Sequence, residues 1–234
     1  MKDTILITCL DKTFDEKLAE AFVREGFRVF ALGESSARSR AKSRAFNQTK
    51  NQAEGLTLLP PDINEAAAAL SEKVGKLDFL LDTTDVSDPE DNFTVRDGIN
   101  GEVIECIFRR NVLRSMSLLE AFLPLLDKGE GKRLFYLTRT EVSINETRRV
   151  CHFGYNMSKA ALHQFLQMTR NKLAPRGYTF RAFDPMDGEV SPEAAAESAY
   201  NYITRRRGTE NGDPARDDED NLVFRDAQGR QHSW

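Results

Sequence analysis

The 234-residue chain is poor in cysteine, and it lacks both an excess of positive charge and a long apolar run. Its cysteines, Cys9, Cys106 and Cys151, show no paired spacing, so the sequence indicates neither a disulfide framework nor a metal site. A net charge of -4 gives no case for binding nucleic acid. No apolar run approaches the roughly 18 residues of a membrane span, and the N-terminus lacks a signal-peptide cleavage site. We therefore expect a cytoplasmic protein that binds neither nucleic acid nor membrane.

Apolar residues make up 40% of the chain and charged residues 30%, a balance typical of globular proteins. A chain of this length can form one α/β domain and bury a sizeable core. We therefore expect a single domain over residues 1–234, with a charged, mobile loop at about residues 205–220.

Short runs rich in β-branched residues alternate with segments in which apolar residues recur at helical spacing. The alternation predicts a Rossmann-type α/β fold, a doubly wound parallel sheet with helices on both faces, whose ligands bind at the carboxyl ends of the strands. The predicted strands cover about Thr4–Thr8, Phe27–Leu32, Leu56–Leu59, Leu77–Asp82, Arg133–Leu137, Tyr178–Phe183 and Leu222–Phe224. The predicted helices cover about Phe14–Glu25, Ala66–Val74, Glu102–Leu126, Tyr155–Lys172 and Pro192–Tyr202.

Tyr155 and Lys159 stand one helical turn apart, soon after the fifth predicted strand. Positions i and i+4 share a helix face, so the two side chains point the same way. A free tyrosine has a pKa of about 10, and a neighbouring ammonium favours the phenolate, so the pair predicts an acid/base tyrosine of lowered pKa. The alternative is a surface tyrosine beside a solvated lysine. The position at the carboxyl ends of the strands favours the catalytic interpretation.

Several further features occur in a fixed order along the chain. Asp62-Ile63 follows the third predicted strand, Asn111 lies in the long helix, and Tyr155 to Leu162 reads Tyr-Asn-Met-Ser-Lys-Ala-Ala-Leu. With these features the chain resembles the short-chain dehydrogenase/reductase family over nearly its whole length. The segment from Leu222 to Trp234 is similar to the tail of the C-factor-like carbonyl reductases in that family. The resemblance implies hydride transfer between a nicotinamide dinucleotide and a small carbonyl or alcohol substrate.

The resemblance also implies roles for individual residues. Tyr155 would exchange a proton with the substrate, and Lys159 would lower the pKa of the tyrosine and bind the nicotinamide ribose. Asn111 would hold a water that links the lysine to solvent. Asp62 and Ile63 would meet the adenine. The family's use of the two long helices implies a homodimer or homotetramer.

Cofactor preference depends on the residues after the second predicted strand. Gly33 holds the place of the acid that binds the ribose hydroxyls in members that prefer NAD. Ser35 and Arg38 follow, and arginine suits a 2′-phosphate. This pattern favours NADP(H), with NAD as the alternative, although the same residues can form a solvated basic loop.

The phosphate-binding turn departs from the family pattern. Cys9, Thr13 and Asp15 hold the three glycine positions, so side chains would crowd the phosphates. Asp15 would add negative charge beside an anionic ligand, and Lys12 would offset part of it.

Two further departures lie close to the catalytic pair. Asp82-Thr83-Thr84-Asp85 replaces the family's Asn-Asn-Ala-Gly, and Arg139 holds the place of the catalytic serine. A hydroxyl from Thr138, Thr140 or Ser143 can substitute for that serine, and the sequence does not choose among them.

Two functions follow from this mixture of retained and altered residues. The first is an oxidoreductase that uses NADP(H) with Tyr155 as acid/base. The second is a non-catalytic binding or partner subunit that has lost dinucleotide binding. Retention of Tyr155, Lys159 and Asn111 favours the enzyme, whereas the altered phosphate turn favours the partner subunit.

Overall fold

A sheet of mostly parallel strands forms the centre of the computed structural model, which describes residues 3–33, 56–205, 218–219 and 221–234. The strand order in the described chain is β3-β2-β1-β4-β5-β6-β7-β8, and β8 runs antiparallel to β7. The strands are β1 Thr4–Ile7, β2 Arg28–Leu32, β3 Leu56–Leu59, β4 Phe79–Asp82, β5 Arg133–Leu137, β6 Thr179–Asp184, β7 Phe224–Asp226 and β8 Gln231–His232.

The order of winding reverses beside β1, which pairs with both β2 and β4. The carboxyl ends of β1 and β4 therefore border the crevice where doubly wound sheets bind their ligands. The loops that leave these two strands carry Lys12 and Asp85.

Helices cover both faces of the sheet. The helices are α1 Thr13–Arg24, α2 Ile63–Lys73, α3 Gly101–Phe108, α4 Arg114–Leu126, α5 Phe153–Leu173 and α6 Pro192–Thr204. One face packs against α1 and α6 through side chains such as Phe22 and Ala199, and the other packs against α2, α4 and α5 through side chains such as Phe122 and Leu166. A π-turn, Arg109–Leu113, joins α3 to α4. The predicted fold class is confirmed.

The last strands close around the C-terminal residue. The ring of Trp234 packs edge-on against His163 of α5, with 4.7 Å between ring centroids, and also contacts Phe224. Asn145 donates both its backbone N–H and its side-chain amide to the carbonyl oxygen of Trp234.

Several predicted boundaries shift for local reasons. The helix expected from Ala66 begins at Ile63, because the Asp62 carboxylate accepts the N–H groups of Asn64 and Glu65 and caps it. The strand expected at Leu222–Phe224 is Phe224–Asp226, and β8 was not predicted.

Most of the loop expected at about residues 205–220 lies outside the described residues, as do Ser35 and Arg38. Asp218 and Glu219, near its end, form ion pairs with Arg225 and Arg133. No helix in the described ranges is long and apolar enough to cross a membrane.

Candidate active site

Tyr155 and Lys159 lie side by side on α5, as the sequence predicts, and both are buried, with 5% and 0% of their surface exposed. The Tyr155 hydroxyl donates to Oδ1 of Asp85 at 2.7 Å, and the Lys159 ammonium lies 3.0 Å from the same oxygen. The two groups therefore meet at a single oxygen atom, which belongs to the chain itself.

The other oxygen of Asp85 is held equally firmly. Lys12 Nζ lies 2.7 Å and Arg139 Nη2 2.6 Å from Oδ2. Burial alone would raise the pKa of Asp85, but Lys159, Arg139 and Lys12 reverse that effect and hold it well below its usual range. Asp85 is therefore a permanent anion that shares three cationic partners.

The Lys159 ammonium has no proton left for another acceptor. Its three protons face Asp85 Oδ1 at 3.0 Å and the carbonyl oxygens of Thr84 and Leu137, each at 3.1 Å. Burial lowers the pKa of Lys159, although the carboxylate of Asp85 opposes that shift.

The expectation that the lysine makes Tyr155 more acidic is wrong for this arrangement. Burial raises the pKa of Tyr155 well above 10, and the carboxylate of Asp85 raises it further. Arg139 pulls in the opposite direction without reversing the shift. The phenol therefore stays protonated while Asp85 accepts its hydrogen bond.

Asp91 fixes the start of α5. Its two oxygens accept the N–H groups of Gly154 and Tyr155 at 2.9 and 2.8 Å, and its side chain is fully buried. The N-cap residue His152 supplies no side-chain cap, so a carboxylate from a distant loop satisfies these donors. A Cβ at Gly154 would lie 3.1 Å from Ile104 Cα, closer than most Cβ contacts, so glycine eases the approach of α5 to α3 at this point.

Asn111 lies in the π-turn and is also fully buried. Its Oδ1 accepts the Val86 N–H at 2.9 Å, and its Nδ2 donates to the Val86 carbonyl at 2.8 Å and to Ser158 Oγ at 3.0 Å. The side chain thus ties the loop that carries Asp85 to the helix that carries Tyr155. π-turns often occur at functional sites.

Of the three candidate hydroxyls, Thr140 lines the cleft in front of Tyr155. Its hydroxyl donates to Asp184 at 2.7 Å. Thr138 bonds the buried ring of His163, and Ser143 is buried under the turn that it begins. Arg139 itself reaches the cleft and binds Asp85 and Asp187 there.

Two cavities meet at this centre. A cleft of about 680 Å³ lies in front of Tyr155, and a groove of about 350 Å³ runs past the start of α1. The cleft wall includes His152, whereas the groove wall includes Gly33, Arg110 and Arg114. A Cβ at Gly33 would lie 2.7 Å from the Leu59 carbonyl oxygen, so the approach of β3 requires glycine there.

The turn between β1 and α1 is less acidic than the sequence suggests. Asp15 is fully buried; one of its oxygens accepts the Lys12 N–H at 3.0 Å, and the other has no partner among the described residues. Burial raises the pKa of Asp15 to about 8, so its carboxyl is mostly neutral at pH 7. The expected negative charge is therefore wrong for Asp15, and what remains is its bulk.

The other residues expected to bind a cofactor are only partly brought together. Lys12 lines both cavities. Asp62 is exposed, and its carboxylate caps α2. Ile63 is half-buried against the core. Pro61, next to them, lines the groove.

A nicotinamide dinucleotide fits one end of this site and not the other. The groove is open and partly cationic, but the protons of Tyr155 and Lys159 that would meet the ribose are already donated. The carboxylate of Asp85 fills the space between them. The end at Tyr155 does not accept a ribose hydroxyl in this arrangement.

Comparison with known proteins decides the family. A family model described as short chain dehydrogenase matches residues 3–199. The chain belongs to the short-chain dehydrogenase family. This is a family of oxidoreductases, so the predicted enzyme class is confirmed at the level of the family.

Relatives of the chain carry matching descriptions. The chain is 26% identical over 185 residues to an uncharacterized oxidoreductase of Schizosaccharomyces pombe, covering 76% of this chain and 70% of that protein. It is 29% identical over 185 residues to a short-chain dehydrogenase/reductase of Pestalotiopsis microspora. That match covers 75% of this chain but only 55% of the relative's length.

Solved structures share the fold at low sequence identity. The carbonyl reductase Sniffer of D. melanogaster aligns over 100% of both chains with a TM-score of 0.81 and 15% identity. A short-chain dehydrogenase/reductase from Burkholderia multivorans with bound NADP aligns over 100% of both chains with a TM-score of 0.77 and 19% identity. At this identity the likeness shows that the fold is shared.

Sequence reasoning predicted that Tyr155 and Lys159 lie together and missed the groups that bind them. Asp85 and Arg139 stood out only as departures from the family pattern, and Asp91 did not stand out at all. No spacing rule links residues that lie 64 and 70 positions apart in the chain.

Proposed function

We propose that this protein is an oxidoreductase that interconverts a small carbonyl compound and its alcohol, with Tyr155 as acid/base. The observation that carries the proposal is the meeting of the Tyr155 hydroxyl and the Lys159 ammonium at one oxygen position, at distances of 2.7 and 3.0 Å. A carbonyl or alkoxide oxygen at that point would receive a proton from Tyr155 and charge stabilisation from Lys159.

Asn111 and Thr140 would support this pair in different ways. Asn111 would fix the loop that faces Tyr155, since its side chain binds both polar groups of the Val86 backbone. Thr140 would take the place of the family's serine, because it is the one of the three candidate residues that lines the cleft.

A nicotinamide dinucleotide would supply the hydride when bound. The groove beside α1 supports its placement, and Lys12 would face the phosphates there. Asp62 and Ile63 would border the adenine, and Ser35 and Arg38 favour NADP(H) over NAD(H). NADP is bound in a structure of the same fold from Burkholderia multivorans.

The chemistry of the cleft supports a small, polar substrate. Its wall is formed mainly by charged side chains, including Glu141, Glu146, Arg149 and Asp187. An apolar ketone would remove water from these groups without offering them hydrogen bonds. The desolvation cost therefore favours substrates that bear hydroxyl groups.

Exchange of Tyr155 for phenylalanine tests the proposal. We expect Tyr155→Phe to lower kcat/KM for carbonyl reduction about a hundredfold or more, because general acid catalysis contributes that much. The assay follows NADPH and NADH oxidation over a panel of polar aldehydes, ketones and ketoses. Tyr136→Phe is a matched control, since Tyr136 is buried in β5 and its hydroxyl has no partner in the described chain. Equal turnover by wild type and Tyr155→Phe would contradict the acid/base role.

A second candidate function is a non-catalytic partner subunit, and the ion cluster around Asp85 is the observation that favours it. Such a protein would keep its biological role in the Tyr155→Phe variant and would show no turnover in wild type.

We also propose a homo-oligomer, supported by exposed apolar side chains on the segment from α3 to α5: Leu113, Met116, Met157 and Met168.

A further inference from the structure

The carboxylate of Asp85 stands between the groove and the cleft. Asp85 and Lys12 line both cavities, so their ion pair forms the partition that separates them. A dinucleotide that reached from the start of α1 to Tyr155 would have to pass through this partition. We propose that Asp85 is an internal ligand of the catalytic centre, which must swing away before dinucleotide and substrate can bind. This inference rests on the oxidoreductase function proposed above.

The protons of Tyr155 and Lys159 are all donated within the chain. Tyr155 has one hydroxyl proton and donates it to Asp85 Oδ1, while Lys159 has three and uses one on the same atom. The other two protons of Lys159 bind backbone carbonyls. An incoming oxygen can therefore contact this pair only where Asp85 Oδ1 now lies.

The loop that carries Asp85 is fixed more firmly in its backbone than in the side chain of Asp85. Hydrogen bonds hold the backbone on both sides of Asp85. Before it, the Thr83 N–H donates to Thr8 Oγ1 and the Thr83 hydroxyl donates to the Cys9 carbonyl. After it, the side chain of Asn111 binds the N–H and the carbonyl of Val86. Among the described residues, the Asp85 side chain is held by the hydroxyl of Tyr155 and by the side chains of Lys12, Arg139 and Lys159. Release is therefore a rotation of one side chain within a fixed loop.

Lys12 is the cation that can release the Asp85 carboxylate. Lys12 is the most exposed of the three cations, with 39% of its side chain accessible, and it directly precedes α1. A phosphate at the start of α1 would compete with Asp85 for this ammonium. Binding in the groove would thus weaken the hold on Asp85 and open the way to Tyr155.

A paired substitution tests the inference without removing one half of an ion pair. Asp85→Gly combined with Arg139→Ser leaves the net charge unchanged and places at both positions the residues of the family pattern. We expect this double variant to bind NADPH or NADH at least about tenfold more tightly than wild type. In wild type the state with Asp85 turned away has a population below about one tenth, which weakens the apparent affinity for the dinucleotide at least about tenfold. Isothermal titration calorimetry measures binding directly and needs no substrate.

Two further variants control for folding and for charge. Asp85→Asn keeps the volume of the side chain and removes its charge, so it should shift the affinity in the same direction by a smaller factor. Glu197→Gln removes the charge of an exposed carboxylate on α6 that pairs with Arg24 and lines neither cavity, so this variant should bind like wild type. Circular dichroism confirms that each variant is folded.

The outcomes separate this inference from the function on which it rests. Tighter binding by the double variant and by Asp85→Asn supports the internal ligand. Micromolar binding of equal strength by wild type and both variants overturns it and leaves the proposed oxidoreductase intact. No binding by any protein up to millimolar dinucleotide overturns both, and the partner-subunit function then takes their place.

Discussion

Burial decides the charge of Asp15, and the stability of the protein should reveal it. The pKa of this carboxyl is about 8 in the folded chain against an ordinary value of 3.8, so the carboxyl ionises at lower pH in the unfolded chain than in the folded chain. Folding therefore loses stability between about pH 4 and pH 8, at up to about 1.4 kcal/mol per pH unit, and loses no more above that range.

We predict that Asp15→Asn becomes increasingly more stable than wild type as pH rises from 5 to 8. The amide oxygen can still accept the Lys12 N–H, and the cost of burying a charge is gone. Urea unfolding at several pH values measures the difference. Glu16→Gln, an acid on the same turn that is partly exposed, separates the effect of burial from that of net charge. Parallel stability curves for wild type and Asp15→Asn would exclude the raised pKa.

Tyr155 and Lys159 show what single residues reveal from sequence alone. Helix geometry fixes the closeness of Tyr155 and Lys159, because it depends only on positions four apart. The acidity of the phenol depends on every charge around it, and the decisive one, Asp85, reaches it from the end of β4. A pattern of local spacing cannot contain that contact, so the pair was predicted and the direction of its pKa shift was not.

At the scale of elements, the start of α5 depends on a carboxylate outside the helix. We predict that Asp91→Ala lowers the free energy of unfolding by about 1–3 kcal/mol, because two buried N–H groups lose their acceptor. Asp88→Ala is the matched control: its carboxylate also caps a helix, the short 3₁₀ turn Pro89–Asp91, but at the surface, so its loss should cost about 1 kcal/mol or less.

Chemical denaturation measures both variants. A cost for Asp91→Ala no larger than that for Asp88→Ala would show that water can replace the cap. Hydrogen exchange at Gly154 and Tyr155 should rise in the first variant and stay unchanged in the second.

Elements with strong local signals were predicted well, and elements defined by distant contacts were not. β3 and β5 match their predicted bounds because each is a dense apolar run. The long helix was expected as one piece, but a π-turn interrupts it where Asn111 reaches across to Val86. β8 has two residues and pairs only through the hairpin with β7, so no periodicity could indicate it.

At the scale of the whole molecule, the exposed apolar side chains predict self-association. Leu113 is 48% and Met116 43% exposed, on consecutive turns between α3 and α5. We predict that wild type sediments as a dimer or tetramer and that Leu113→Lys combined with Met116→Lys sediments as a monomer, because buried lysines at a contact are costly. Ile144→Lys, an equally large change at an exposed apolar residue in the loop after β5, should leave the assembly unchanged. A monomeric wild type would refute the prediction.

The packing of Trp234 gives the protein an optical probe of its own. The chain contains one tryptophan, and its ring lies against His163, one turn along α5 from Lys159. Burial and the nearby Lys159 lower the pKa of His163 to about 3, so the imidazole stays neutral at ordinary pH and the indole emission should not respond to its titration. Because His163 also bonds Thr138, the neighbour of Arg139, rearrangement of the ion cluster would reach the indole through two contacts. The emission spectrum of an unlabelled sample would then report the state of the centre in real time.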